Sequence, residues 1–211
     1  MTGRPAVNPP MPDISFGPAS AADIPAILEI QETNHVSRLT PEARHDGFLS
    51  ARFTAAQLEA LIGDLGIFVA RNPERRIQGF MCAFRGSFAH GSPVIEQMIA
   101  ASRHAHFREQ PIDASRVFYY GPVCIEQSRR GQGLLPGLYE TLRDALRERF
   151  DLGIAFIARN NARSRRAHVD KLGMTLIGEF AVGENHYDLL AFALAAQTAT
   201  EIDLANGHRA P

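Results

Sequence analysis

The stretch Arg129-Arg130-Gly131-Gln132-Gly133-Leu134-Leu135-Pro136 constrains this chain more than any other. It joins a β-rich run, Val117–Ile125, to an amphipathic run, Leu134–Phe150, so a strand, a tight bend and a helix must follow one another. Two glycines let the backbone turn sharply and approach a ligand with no Cβ in the way. Amides of the bend and of the first helical turn have no acceptor inside the helix. They point, with the helix dipole, at whatever anion sits there, and Arg130 adds a guanidinium beside them. As a bare string Arg-Gly-Gln-Gly is also a surface turn; its place between strand and helix is what an anion site needs. The bend lacks the Gly-Lys-Ser/Thr ending of a nucleotide P-loop and the three-glycine spacing of a dinucleotide fingerprint.

At 211 residues and 45% apolar, the chain can bury one sizeable core, and a single domain over residues 13–196 is expected. The proline-rich start, Met1–Pro12, reads as a disordered arm, and Gln197–Pro211 as a polar tail. Net charge is −1, from 22 basic and 23 acidic residues, which gives no general field for nucleic acid or an anionic membrane. Cys82 and Cys124 lie in β-like runs without metal-ligand spacing. They suit free thiols in a reducing compartment. With no signal peptide and no apolar run of roughly 18 residues, a soluble cytoplasmic protein without a metal is expected.

Periodicity and punctuation set the order of elements. A strand at Ile14–Pro18 precedes a helix from Asp23 to about Val36, with Pro25 in its first turn. Thr40-Pro41 is a second helix start, and Thr54 to Gln57 fits a capping box closed by Gly63. Two strands, Gly66–Arg71 and Arg76–Arg85, flank a turn at Asn72-Pro73. An inserted helix runs from Ser92-Pro93 to about Phe107. The run Val117–Ile125 is broken at Gly121-Pro122, where proline cannot donate to a ladder, and a kink there splays the strand from its neighbour. A strand Leu152–Ala158, a helix Ala162–Leu172 stopped by Gly173, and a hairpin of Met174–Val182 with His186–Leu194 complete the chain. Interleaved strands and helices predict an α/β fold, a mixed sheet covered on both faces.

Three segments, in order, resemble the GCN5-related N-acetyltransferase (GNAT) superfamily, across roughly Ile14 to Leu194. The first is Val123-Cys124-Ile125 followed by Arg130-Gly131-Gln132-Gly133-Leu134, similar to the family's acyl-CoA pyrophosphate loop. The second is Asn161-Ala162-Arg163-Ser164 through Lys171-Leu172-Gly173-Met174, similar to its last helix. The third is the opening Ile14 to Ile27. Framed from Arg130, the loop departs from the pattern at Leu135, where the family carries glycine or alanine; framed from Ser128, the glycines fit and the first residue does not. The last helix is one residue longer than the family's. Counting forward from Asn161 puts His168 where many relatives carry a tyrosine acid, and counting back from Gly173 puts Val169 there.

The resemblance implies a splayed pair of strands and acetyl-CoA as cosubstrate. Coenzyme A would be held by the backbone of Val123 and Ile125, by Arg130, Gly131, Gln132, Gly133, Leu134 and Leu135, and by Asn161 and Ser164. The implied reaction is acyl transfer to an amine by direct attack in a ternary complex, with a small-molecule amine favoured over a protein amine, and with homodimers common. A catalytically silent acyl-CoA sensor of the same fold is the alternative. Transfer from a thioester needs a neutral amine, donors for the developing oxyanion and a proton for the thiolate. Asn161, Ser164 and His168 share one helical stripe. His168 is a candidate acid, or a packing residue. Alternation sends Tyr119 and Tyr120 to opposite faces, so one of them approaches the cleft. Glu126 reads as solvated and Cys124 as a buried small hydrophobe. His104 and His106 diverge too far for a metal. His186 and Tyr187 are candidate acceptor contacts, and Arg163, Arg165 and Arg166 candidates for the 3′-phosphate of coenzyme A.

Overall fold

Near-continuous apolar runs build a sheet that is buried on both faces, and period-3.6 stripes supply the helices that cover it. The structure, a computed structural model, describes residues 13–88 and 91–194; the expected arm Met1–Pro12 and tail Gln197–Pro211 lie outside the described residues. Seven strands form one sheet: β1 (Ser15–Pro18), β2 (Ile67–Arg71), β3 (Ile77–Phe84), β6 (Val117–Ile125), β7 (Leu152–Ala158), β8 (Thr175–Val182) and β9 (Asn185–Ala193). Their order across the sheet is β1-β2-β3-β6-β7-β9-β8, and every neighbouring pair is antiparallel except β6 with β7. A parallel pair cannot be joined by a hairpin; here the crossover is the helix α5 (Leu134–Leu146).

One face of the sheet packs on α1 (Ile24–Asn34), α3 (Ala55–Gly63) and α4 (Pro93–Ser102), through Ile27, Leu58, Leu61 and Met98 against Ile67, Val69, Phe80 and Phe84. The other face packs on α5 through Leu134, Leu138, Leu142 and Leu146, each almost fully buried and each contributing about 2 kcal/mol. The local signals hold up. Thr54 Oγ1 accepts from the Gln57 amide at 3.3 Å while Gln57 Oε1 accepts from the Thr54 amide at 2.8 Å, a closed capping box. Thr40 caps the short α2 (Pro41–Arg44) by accepting from the Ala43 amide at 3.3 Å.

Two boundaries differ from expectation. The inserted helix stops at Ser102, and the residues after it form a small ribbon, β4 (His106–Phe107) paired with β5 (Gln110–Pro111). The last helix is α-helical only over α6 (Ala162–Arg166), then widens into a π turn over Ala167–Lys171. A π turn holds one residue more than an α turn across the same span. It falls in the segment expected to run one residue longer than the family's.

Aromatic packing on the second face leads to the cleft. Phe192 on β9 lies across from Gly153 on β7, and its ring covers the glycine so closely that a Cβ there would sit 2.2 Å from the ring. Phe192 in turn meets Tyr120 edge-on, with ring centroids 5.7 Å apart at 81°. Gly153→Ala must therefore displace a ring packed among Phe118, Tyr120 and Tyr139. It should cost about 1–3 kcal/mol, read as a lowered denaturant midpoint at unchanged slope; an unshifted midpoint would contradict this packing.

Candidate functional site

The site begins where the β6–β7 ladder ends. The two strands pair only at Val117 with Leu152, Phe118 with Gly153 and Tyr119 with Ile154. Strand β7 continues along β9 to Ala158 opposite Tyr187, while β6 continues along β3. Between Met81 and Ala83 the β3–β6 register shifts, because one residue of β3 faces the two residues Gly121 and Pro122 of β6. Proline donates nothing to the ladder and the extra residue bends the strand. Residues 120–125 and 155–158 then face one another across an open wedge, the splay expected from the Gly121-Pro122 break.

The Gly-rich bend lies at the outer end of this wedge. Gly131 (φ 82°) and Gly133 (φ 84°) both adopt left-handed backbone, and Gly133 caps α5. That region is where glycine is needed. Leu134 and Leu135 open a 13-residue helix, so their amides have no intrahelical acceptor. Gln132 turns back, Nε2 donating to the Ser128 carbonyl at 2.9 Å. Arg130 is half-buried, and its donors go to the protein itself: Nε to the Ile125 carbonyl at 3.2 Å, Nη1 to the Asp46 carbonyl, Nη2 to Asn34 Oδ1. Its guanidinium is a staple under the bend.

A groove of about 600 Å³ runs from the bend along the wedge to α6. Val123 and Ile125 line one wall, Asn161, Ser164 and His168 the other, and Arg166 and Lys171 add positive charge. Arg163 also lines it, with its charge matched by Asp46 at 2.7 Å. Arg165 points away, to Asp188, which it holds together with Arg159. Asn161 caps α6, accepting from the Ser164 amide at 3.2 Å, and donates through Nδ2 to the Phe48 carbonyl at 2.9 Å. The segment Asp46–Ala51 is thus strapped over the wedge by Arg130 and Asn161. Sequence reasoning missed this strap; its one local signal is Asp46-Gly47, a turn pair with Gly47 at φ 91°.

At its inner end the groove meets a second cavity of about 70 Å³, and the two share Phe48, Leu49, Val123, Asn161, Ser164 and His168. Tyr120 and His168 sit at this junction. His168 Nδ1 is 2.8 Å from the Ser164 carbonyl, which can only accept, so Nδ1 carries the hydrogen. Nε2 is then a lone pair, and the Tyr120 hydroxyl 3.0 Å away donates to it. Burial holds the His168 imidazole below the ordinary 6.5, opposed by the Ser164 carbonyl. Burial likewise pushes the Tyr120 phenol well above its ordinary value, so both groups are neutral at neutral pH.

Alternation separates the two tyrosines as expected. Tyr120 reaches the cleft, whereas Tyr119 lies on the opposite face, stacked on Phe84 and hydrogen-bonded to Ser102 Oγ at 2.9 Å. Of the two helix registers, the π turn presents His168 to the junction, and Val169 packs beside α5. Burial pushes the Cys124 thiol up to about 12, which keeps it protonated. Tyr187 stands behind Phe156 in a stack with Phe180 and is one layer removed from the inner cavity; His186 is exposed at the start of β9. Among the described residues no group of three or more His, Cys, Asp or Glu side chains gathers as a metal site, and no helix is long and apolar enough to cross a membrane.

No protein-family model matches the chain, and no curated protein matches it in sequence. Solved structures do match. They include yncA of Salmonella typhimurium with its cofactor acetyl-CoA (16% identity, 89% of this chain and 97% of that one, TM-score 0.57). The ribosomal-protein-S18-alanine N-acetyltransferase of Escherichia coli matches at 13% identity, over 88% and 97% of the two chains, with TM-score 0.56. A chain of the NatC complex bound to Gag peptide and CoA matches at 13%, over 86% and 99%, with TM-score 0.55. At such identities the likeness is one of fold: the chain shares the fold of these structures, a mixed sheet with helices on both faces.

A buried histidine with a lowered pKa has a consequence for stability. The unfolded chain takes up a proton near 6.5 and the folded chain only at lower pH, so the unfolded state binds more protons in between. Stability should be full above about pH 7 and fall as pH drops below 6.5. His168→Gln should flatten that fall in urea titrations between pH 7 and 5; an identical slope in the variant would remove His168 as its source.

Proposed function

We propose that the chain is an acyl-CoA-dependent N-acyltransferase, carrying an acetyl group from acetyl-CoA to a primary amine by direct attack in a ternary complex. The wedge between β6 and β7 carries this reading. It runs from a glycine bend with free helix-terminal amides to a buried, hydrogen-bonded Tyr120–His168 pair. The diphosphate of coenzyme A sits on the amides of Gly133, Leu134 and Leu135. The pantetheine arm follows the unpaired side of Val123–Ile125 as an added strand would. That places the thioester at the junction with the inner cavity.

The chemistry balances with these two side chains. The amine nitrogen bonds to the thioester carbonyl carbon, and the carbon–sulfur bond breaks. As the amine gives its proton to the Tyr120 oxygen, Tyr120 passes its own to His168 Nε2. The imidazolium so formed returns a proton along the same path to the departing sulfur. Neutral His168 with an open lone pair is the state this relay needs. The fit of the groove to a diphosphate rests on backbone donors and on Arg166 and Lys171, with Arg130 holding the bend in shape.

Gly131→Val or Gly133→Val should abolish coenzyme A binding in calorimetry, because valine strains a left-handed position and fills the approach. Unchanged affinity would misplace the diphosphate. Tyr120→Phe should lower kcat about 100-fold with little change in KM for acetyl-CoA. A catalytically silent acyl-CoA sensor is favoured by one observation: no carboxylate lines the inner cavity among the described residues. Release of free thiol with a panel of amines separates the two, and a protein that binds coenzyme A yet turns over none of them is the sensor.

A further inference from the structure

Beyond the junction the wedge does not open onto charged surface. It continues into the inner cavity, walled by Leu49, Phe84, Ile95 and Phe156 and floored by Val123. Phe84 and Ile95 are fully buried, and no Asp, Glu, Lys or Arg lines the space among the described residues. Its polar side chains are Ser50 on the strap, Tyr120, and Asn161, Ser164 and His168 at the end shared with the groove; none of them is a fixed charge. A protonated amine placed there would be desolvated with no counter-charge, which is costly. A hydrocarbon placed there would exchange water for aromatic and branched walls, which is favourable.

We propose that this cavity is an acyl-chain pocket, selective for short straight chains of three to four carbons on the thioester. The inference rests on the acyl-CoA reading above and replaces its acetyl group by a longer acyl chain. Size sets the chain length. An apolar cavity of about 150 Å³ holds a benzene ring. A cavity of about 70 Å³ therefore holds on the order of three carbons, the propyl group of a butyryl thioester. An acetyl methyl leaves most of it unfilled, and unfilled apolar volume is a cost.

Calorimetry on the whole chain with coenzyme A, acetyl-CoA, butyryl-CoA and octanoyl-CoA tests this. Affinity should rise about fourfold per methylene, about 16-fold from acetyl to butyryl, and octanoyl-CoA should bind no tighter than butyryl-CoA. Ala51→Leu, which fills the cavity from the strap, should bring the butyryl-to-acetyl ratio close to one. Phe156→Ala, which enlarges it, should move the tightest chain to a longer one, and it serves alone if Ala51→Leu fails to fold. Equal affinity for acetyl-CoA and butyryl-CoA, with coenzyme A itself bound, overturns the pocket and leaves the transferase reading standing. Ratios that stay put in folded Phe156→Ala also overturn it. Failure of coenzyme A to bind at all overturns the transferase reading, and the pocket with it.

Discussion

Every functional feature of this molecule depends on hydrogen bonds that β6 and β7 do not make. A sheet interior normally pairs every strand on both sides, because buried backbone groups left alone are costly. Here the parallel ladder stops after Tyr119 and Ile154, and the rest of each strand is held only from its outer side, by β3 and by β9. The opening survives because its two walls are anchored independently. Strand β7 rests on a long antiparallel ladder, and β6 is bent by a bulge at Gly121-Pro122 that the β3 register absorbs. The amphipathic α5 then closes the crossover and delivers a helix terminus to the mouth of the opening.

Much of this could be read from residues. Strand boundaries, the capping box at Thr54, the turn at Asn72 and the break at Gly121-Pro122 are local signals, and local chemistry decided them. The ribbon His106–Phe107 with Gln110–Pro111 escaped notice because two-residue strands have no period to detect. The strap Asp46–Ala51 escaped because nothing near it in sequence holds it. Its tethers come from Arg130 and Asn161, 84 and 113 residues away. The pairing of Tyr120 with His168 spans 48 residues and needs the sheet to form before it exists. Alternation could say that one tyrosine of the pair 119–120 would face the cleft, but not which one, since both faces of this sheet are apolar.

Arg130 and Asn161 each hold more than one wall of the groove. Asn161 caps α6 and ties down Phe48, which fixes both the stripe Asn161–Ser164–His168 and the strap opposite it. Arg130 binds the end of β6, the strap and α1 at one point. The groove is thereby shaped by the residues that line it, so a substitution at either position loosens two walls at once. In the paired part of the β6–β7 ladder, Gly153 reaches the same end from afar: the space it leaves lets Phe192 press on Tyr120, whose hydroxyl is aimed at His168.

The widened turn at Ala167–Lys171 carries an evolutionary implication. One added residue in a regular helix would rotate everything beyond it by about 100°. Accommodating the addition in a single loose coil confines that rotation, so Leu172 and Met174 keep their seats in the core while the side chain ahead of them is exchanged. Gain or loss of one residue here could trade the group facing the groove, imidazole for another, without rebuilding the contacts around it.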